Sequence, residues 1–407
     1  MSKGINHWKE PSLLLSGIGI ATIGEWVYFI SFNLIIFSMT GSAMAVTALY
    51  ILKPLASLFT NIWAGTLVDQ VNKRKLMVTL DLLRAFLIAL LPWLSSLVLI
   101  YTVVFLINIA SAIFSPTSMS YITKLIPVER RKRFNSLYSL ITSGAFLIGP
   151  AVAGLLFMVS TPIVTVYVNA VALFFSALIT MLLPDVDDNT SSMNRLSFQM
   201  VKNDWKEVIR FSHKSPYVIL IYTLFMSVMV VAASAVDSLE ASFAKEVLSL
   251  TDSEYGFLVS IAGGGIVGGA LLNSLLVQKT KTSYLIGFGS LLVSTGYLMY
   301  AFSASLLIAA VGFFFLAFFI AFANTGFLTF YQHNIPTHLL GRVISFYQFV
   351  QSILTMALTG LLGLLAELAT IQIAVITGVL VMFFLSNVLC VFSLWPSKKV
   401  HYEMDSL

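Results

Sequence analysis

The chain has 407 residues, of which 58% are hydrophobic and only 10% charged, with 23 Lys and Arg against 18 Asp and Glu. A soluble chain carries roughly 25% charged residues, so water-soluble enzymes, nucleic-acid binders and disordered scaffolds are excluded. The formal net charge of +5 is the excess expected of loops on the cytoplasmic side of a membrane.

In chain order, the sequence predicts membrane spans, each needing about 20 mostly apolar residues. Six lie at 12–38, 44–68, 76–97, 99–124, 135–159 and 163–183, and six more at 216–240, 254–278, 284–303, 305–331, 342–366 and 371–394. The first is too long for a signal-peptide core and reads as a retained span. The fold expected is therefore an all-α membrane protein with twelve transmembrane helices in two pseudo-symmetric six-helix bundles. The bundles cover 1–183 and 216–407, joined by a cytoplasmic linker, 184–215. In that linker Phe198, Val201, Trp205, Val208 and Ile209 recur at helical spacing among Lys202, Lys206 and Arg210. This predicts an amphipathic helix on the inner membrane surface.

Loop charges set the orientation. With a cytoplasmic N-terminus, 20 of the 23 basic residues fall inside, Lys53 and Arg84 lie within spans and only Lys245 is outside. Both termini are thus expected in the cytoplasm. An internal repeat supports two halves. Ile126, Pro127, Arg133, Ser136, Tyr138, Ser143 and Gly154 recur 209 residues later as Ile335, Pro336, Arg342, Ser345, Tyr347, Ser352 and Gly363. Transporters commonly build two rigid halves around a midplane site in this way.

Some residues point away from other chemistries. Cys390 is the one cysteine, no Walker motif occurs, and His7, His213, His333, His338 and His401 lack metal-ligand spacing. No cofactor and no metal is expected. Gly263-Gly-Gly265-Ile-Val-Gly268 matches a dinucleotide-binding pattern by letter, yet it sits inside an apolar span, where close helix packing is its natural use.

The loop after the second span contains Gly65, Asp69, Lys73, Arg74 and Lys75. This pattern closely resembles the signature loop of the major facilitator superfamily, with Asn72 in place of the usual second glycine; the corresponding acid is missing from 275–281. The resemblance implies that the loop gates the inward-opening transition and that Asp69 contacts the eleventh span near Gly341 and Arg342. Gly144, Gly149, Pro150 and Gly154 in the fifth span resemble the glycine-proline motif of the superfamily's antiporters, although plain small-residue packing gives the same pattern. Ile23-Gly24-Glu25-Trp26, Thr40-Gly41-Ser42-Ala43, Asp81-Leu-Leu-Arg84 and Phe114-Ser-Pro116 resemble the macrolide-efflux and siderophore-export branch.

Ionisable groups within spans are costly and are functional candidates by default. Glu25, Lys53, Asp81 and Arg84 are the proton- or substrate-coupling candidates. Glu25 lies roughly 20 Å from the inner end of its span and Lys53 roughly 14 Å from the outer end of the next, so the two could pair, as a static bridge or as a proton- or cation-binding site. Asp81 and Arg84, three apart on one helical face, can pair with each other. Cavity-lining candidates are Tyr28, Phe29, Phe32, Asp237, Glu240, Asn324, Gln348 and Gln351. Asp237 and Glu240 also read as solvated span ends, and the amides as interhelical hydrogen-bonding groups.

The function expected is secondary active export of an amphipathic small molecule, a drug or a siderophore, with protons as the coupling ion. The partners expected are that substrate, protons and membrane lipids, with no nucleic acid and a monomeric chain in the cell membrane. A lipid flippase of the same fold and a non-transporting sensor on this scaffold are the alternatives.

Overall fold

The computed structural model describes residues 8–61, 68, 71–187, 198–276, 279–395, 397 and 401–402. Among them, twelve helices are long and apolar enough to cross a bilayer. In the first half the helices are α1 (Lys9–Thr40), α2 (Ala43–Asn61), α3 (Lys73–Leu90), α4 (Leu97–Leu125), α5 (Val128–Val159) and α6 (Pro162–Met181). Then come α7 (Phe198–Lys214), α8 (Pro216–Met226), α9 (Ala233–Asp237), α10 (Glu240–Glu246), α11 (Asp252–Leu276), α12 (Thr282–Ala301), α13 (Leu306–Asn334), α14 (Thr337–Leu368) and α15 (Ile371–Ser393). The twelve spans expected from hydropathy are all found, with ends displaced by a few residues.

The repeat is visible in the backbone. Helices α5 and α14 are both 32 residues long, and both of their ends are separated by the same 209 positions as the sequence repeat. Each starts after a proline in nearly the same conformation, Pro127 at φ −55°, ψ 145° and Pro336 at φ −56°, ψ 137°. A proline fixes φ, disfavours helix in the residue before it, and so marks the start of each helix.

The chain folds as two compact units, one of residues 1–39 and 55–195, the other of residues 40–54 and 196–407. In the first unit α3 packs against both α4 and α6. Its buried residues, among them Met77, Leu80, Asp81, Arg84, Leu87 and Ile88, recur every three or four positions. Any polar residue on that face is therefore enclosed by helices. A Cβ on Gly24 would stand 2.7 Å from that of Ala172, so only glycine lets α1 lie this close to α6.

In the second unit α13 packs along α11 and α12, and α12 along α15. The glycine run of α11 serves this packing, because side chains at Gly265 or Gly269 would collide with the α13 backbone at Phe314 and Phe318. Residues 40–54 pack here too: Ser42 donates to Glu367 (2.9 Å), and Gly363 meets Met44 and Thr47. The amphipathic helix α7 was expected on the membrane surface. Within the second unit its apolar residues also meet protein, with Trp205 edge-on to Phe346 and Val208 fully buried beside Val218 and Val343. Ser212 meets the Tyr347 hydroxyl (2.9 Å), and Glu207 pairs with Arg342. Phe346 and Phe349 of α14 offer apolar area that this helix covers.

The seventh span differs most from expectation. Rather than one helix, it is α8, a π-helical turn at Ser227–Ala232, α9, and then α10 after a two-residue turn at Ser238–Leu239. Such π turns shift side chains around the helix axis and are frequent at functional sites.

Candidate functional site

Four helices of the first unit bring one polar network together. Arg84 of α3 donates from Nη1 to Glu25 Oε1 of α1 (3.0 Å) and to Ser111 Oγ of α4 (3.3 Å), while Nη2 pairs with Asp81. Ser176 of α6 donates to the other oxygen of Asp81 (2.9 Å). The Phe114 ring lies 4.5 Å from the guanidinium carbon, a cation–π contact. The Asp81 side chain is 0% exposed and that of Arg84 4%, but Glu25 remains 49% exposed. Arg84 is therefore a buried cation shared by one enclosed carboxylate and one open carboxylate. Fixed geometry comes from Asp81, and accessibility from Glu25.

The pairing of Asp81 with Arg84 is as expected. Within the first unit Glu25 takes Arg84 as its partner, while Lys53 belongs to the second unit and is exposed. The reason is proximity through packing. Gly24 draws α1 against α6, on the same side of the unit as α3, and an arginine already held by Asp81 is the cation within reach. Ser111, Ser176 and Phe114 were not foreseen as members, since lone serines and phenylalanines in apolar spans carry no signal of their own.

The neighbours of Glu25 also find places. Tyr28 stacks on Phe32 (5.2 Å between ring centroids), with its hydroxyl buried and unbonded. Phe32 is buried in the unit, and Phe29 keeps an exposed face beside Trp26. In the antiporter-like motif of α5, Gly149 lies against Trp26, where a Cβ would collide, while Gly144 faces open space; Pro150 and Gly154 are buried. The motif glycine thus seats α5 against the residue next to Glu25.

The basic loop is held by acids from the other end of the unit. Asp187 accepts from the Lys73 backbone N–H (2.6 Å) and pairs with the ammonium groups of Lys73 (3.1 Å) and Lys124 (2.7 Å). Asp185 accepts from the Asn72 side chain, and Arg74 donates to the Leu183 carbonyl (2.8 Å). Asn72 itself caps α3 by accepting from the Lys75 N–H (3.0 Å) at φ −59°, so no glycine is required there. Gly65 and Asp69 lie outside the described residues; the acid seen at the N-terminus of α3 is Asp187, with Lys75 exposed beside it. The run Pro184-Asp-Val-Asp was the available signal for this, an acidic exit facing basic loops.

Burial pushes the Asp187 carboxyl up, but bonds from Lys124 and Lys73 outweigh it and hold it below the usual carboxylate range. A carboxyl depressed on folding contributes stability above its unfolded value of about 3.9, and that stability fades as pH falls through the lower folded value. Asp187→Asn is expected to flatten the acid side of the stability profile and to cost about 1–3 kcal/mol at neutral pH, because Lys73 loses its partner. Thermal unfolding across neutral to acidic pH measures both effects.

In the second unit Asp237, expected as a span end, is partly buried and accepts from the Tyr297 hydroxyl (2.8 Å). Glu240 accepts through its backbone carbonyl from Tyr300 (3.4 Å). Asn324 and Gln348 are exposed, and Gln351 is half-buried. None of these three joins the charged groups of this unit in a described hydrogen bond.

A family model of the Major Facilitator Superfamily matches residues 14–360, nearly the whole of this chain. The chain belongs to the major facilitator superfamily. It is 24% identical over 382 residues to an uncharacterized MFS-type transporter, YfiS of Bacillus subtilis, covering 90% of this chain and 89% of that one. It is 26% identical over 185 residues to the multidrug efflux pump Tap of Mycobacterium tuberculosis, a match that covers 42% of this chain and 44% of Tap. Among solved structures, the peptide transporter POT aligns with a TM-score of 0.76 at 12% identity, covering 99% of this chain and 97% of that one. A bacterial homologue of the human lysosomal transporter Spinster aligns with a TM-score of 0.74 at 14% identity, covering all of both chains. These likenesses are of fold. This superfamily member is a multi-pass membrane transporter.

Proposed function

We propose that this transporter exports an amphipathic small molecule, a drug such as a macrolide or a siderophore, by proton antiport. It works as a monomer in the cell membrane with both termini cytoplasmic. The observation that carries the reading is the open carboxylate of Glu25 bonded to the buried Arg84. A proton or a cationic substrate arriving at Glu25 competes with Arg84 for the same oxygens. Neutralising Glu25 leaves Arg84 to Asp81 alone, and that difference in contacts is what a ligand needs to bias two conformations. The likeness to a multidrug efflux pump and the glycine-proline motif beside Trp26 favour export. Lys53, Asn324, Gln348 and Gln351 serve in this reading as substrate contacts.

Proteoliposomes holding the purified protein and loaded acid-inside test it. Protons leaving the vesicle should drive accumulation of a macrolide or an amphipathic dye, and a protonophore should abolish the accumulation. Accumulation that ignores the protonophore, or a proton gradient that drives no uptake of any amphipathic compound, counts against proton antiport.

A further inference from the structure

The broken end of the seventh span carries two acids that the network around Glu25 does not use. Asp237 closes α9 and Glu240 opens α10, three residues on, and the intervening Ser238 and Leu239 keep right-handed helical dihedrals. Side chains at that spacing share one face, with Cβ atoms roughly 5–6 Å apart. Both are partly buried.

What faces the pair is tyrosine. Tyr297 and Tyr300 come from α12, Tyr255 from α11 and Tyr50 from α2, and all four act electrostatically on the pair or on one another. Tyr297 donates to Asp237, and Tyr300, 1% exposed, is wedged between Phe243 and Phe313, 4.8 Å from each ring. Among the described residues no lysine, arginine or histidine acts on either carboxyl. The lysine of α10, Lys245, is taken by Asp252 (2.7 Å), and Glu254 is occupied at Thr251. One further group points to a ligand. The Tyr255 hydroxyl, on a residue 0% exposed, is directed at the Glu240 carboxyl yet makes no hydrogen bond at the usual distance.

Two carboxylates on one face, walled by aromatic rings and without a cation, cannot both stay charged at modest cost. Donors arranged around Asp237 favour its anionic form, since Tyr297 gives it a hydrogen bond. Glu240 has only the longer approach of the Tyr255 hydroxyl, and it has the Asp237 charge for a neighbour. We propose that Asp237 and Glu240 form a proton-binding pair, holding one proton on Glu240 beside an ionised Asp237, as a second titrating site distinct from Glu25. The exchange is an O–H bond made or broken at Glu240, with the proton taken from or given to water. With only two carboxyl ligands and tyrosine hydroxyls, the pocket suits a proton better than a metal cation, which needs more oxygen donors.

Infrared spectra of the full-length protein in lipid nanodiscs read the site without any transported substrate, so its outcome is separate from the export reading. The wild type is expected to show one protonated-carboxyl C=O band at neutral pH. Glu240→Gln is expected to lose that band, and Asp237→Asn to lose it at lower pH than the wild type does, because the neighbouring negative charge is gone. No band in the wild type, a band that persists in Glu240→Gln, or a band indifferent to Asp237→Asn overturns the proposal. So does a band abolished by sodium at constant pH, which assigns the pocket to a metal cation. A measurement on the unaltered chain covers variants that fail to fold. A hydrophobic carbodiimide, which attacks protonated carboxyls, should modify Glu240 in a manner that falls with rising pH, as located by peptide mass spectrometry. Absence of modification at Glu240 overturns the pair as well.

Discussion

Replacing Asp81 by Leu and Arg84 by Met together is expected to leave a folded protein that no longer transports. Arg84→Met alone is expected to destabilise it by about 3–5 kcal/mol. The difference follows from burial. Asp81 is 0% exposed and is satisfied by Arg84 and Ser176; without Arg84 its charge is enclosed with a single hydroxyl donor. Taking both charges away removes the desolvation cost along with the attraction, and exchanges of buried pairs for apolar residues are often neutral. Thermal unfolding in detergent, run beside flux measurements on the same preparations, separates the two roles. A double variant that transports at the wild-type rate would reduce the network to a static brace.

The second large effect is expected at Glu25. Glu25→Gln keeps the size of the side chain and one acceptor oxygen for Arg84, but removes the group that exchanges a proton. Substrate should still equilibrate across the membrane while uphill transport collapses. One proton moving through 100 mV is worth roughly 2.3 kcal/mol, which at about 1.4 kcal/mol per decade sustains a gradient of about fifty-fold. That is the accumulation at stake if one proton is exchanged per cycle. Counterflow and gradient-driven uptake in the same vesicles measure the split. Concentrative transport that survives Glu25→Gln would move the coupling elsewhere, and the Asp237–Glu240 pair would be the next place to look.

Much of the architecture was legible in the sequence because a bilayer imposes simple demands. Twenty apolar residues are needed per crossing, and backbone polar groups must be satisfied within each helix. The 209-residue repeat reappears as two helices of equal length, since Pro127 and Pro336 start them in the same way. The glycine run of α11 was read correctly as packing for the same reason, as a span leaves no strand or phosphate for it to serve. Arg84 with Asp81 was legible too, because residues three apart on a helix are neighbours whatever surrounds them.

Partners from distant segments were not legible. Glu25 and Lys53 have similar calculated depth, but depth along a span says nothing about which helix faces which. The contact of Gly24 with Ala172 and Asn169 settles that for α1, and with it the choice of Arg84. The same holds at Lys73, where an acid more than a hundred positions away, Asp187, supplies the carboxylate at the helix start. Helix α7 carries a membrane-surface pattern, and its contacts with Phe346 and Phe349 could not be read from that pattern.

By itself, then, the sequence determined what the membrane enforces: the number of spans, their approximate limits, the doubled plan and the four charges that have no solvent reason to lie within spans. Hydropathy and helical spacing are local quantities, and these features depend on little else. Tertiary structure alone decided which charges meet, that Arg84 serves two carboxylates, and that Asp237 and Glu240 end among tyrosines. Those outcomes depend on the rotation and close approach of whole helices. Small residues such as Gly24 and Gly149 govern that approach through collisions that appear only once the neighbouring helix is in place.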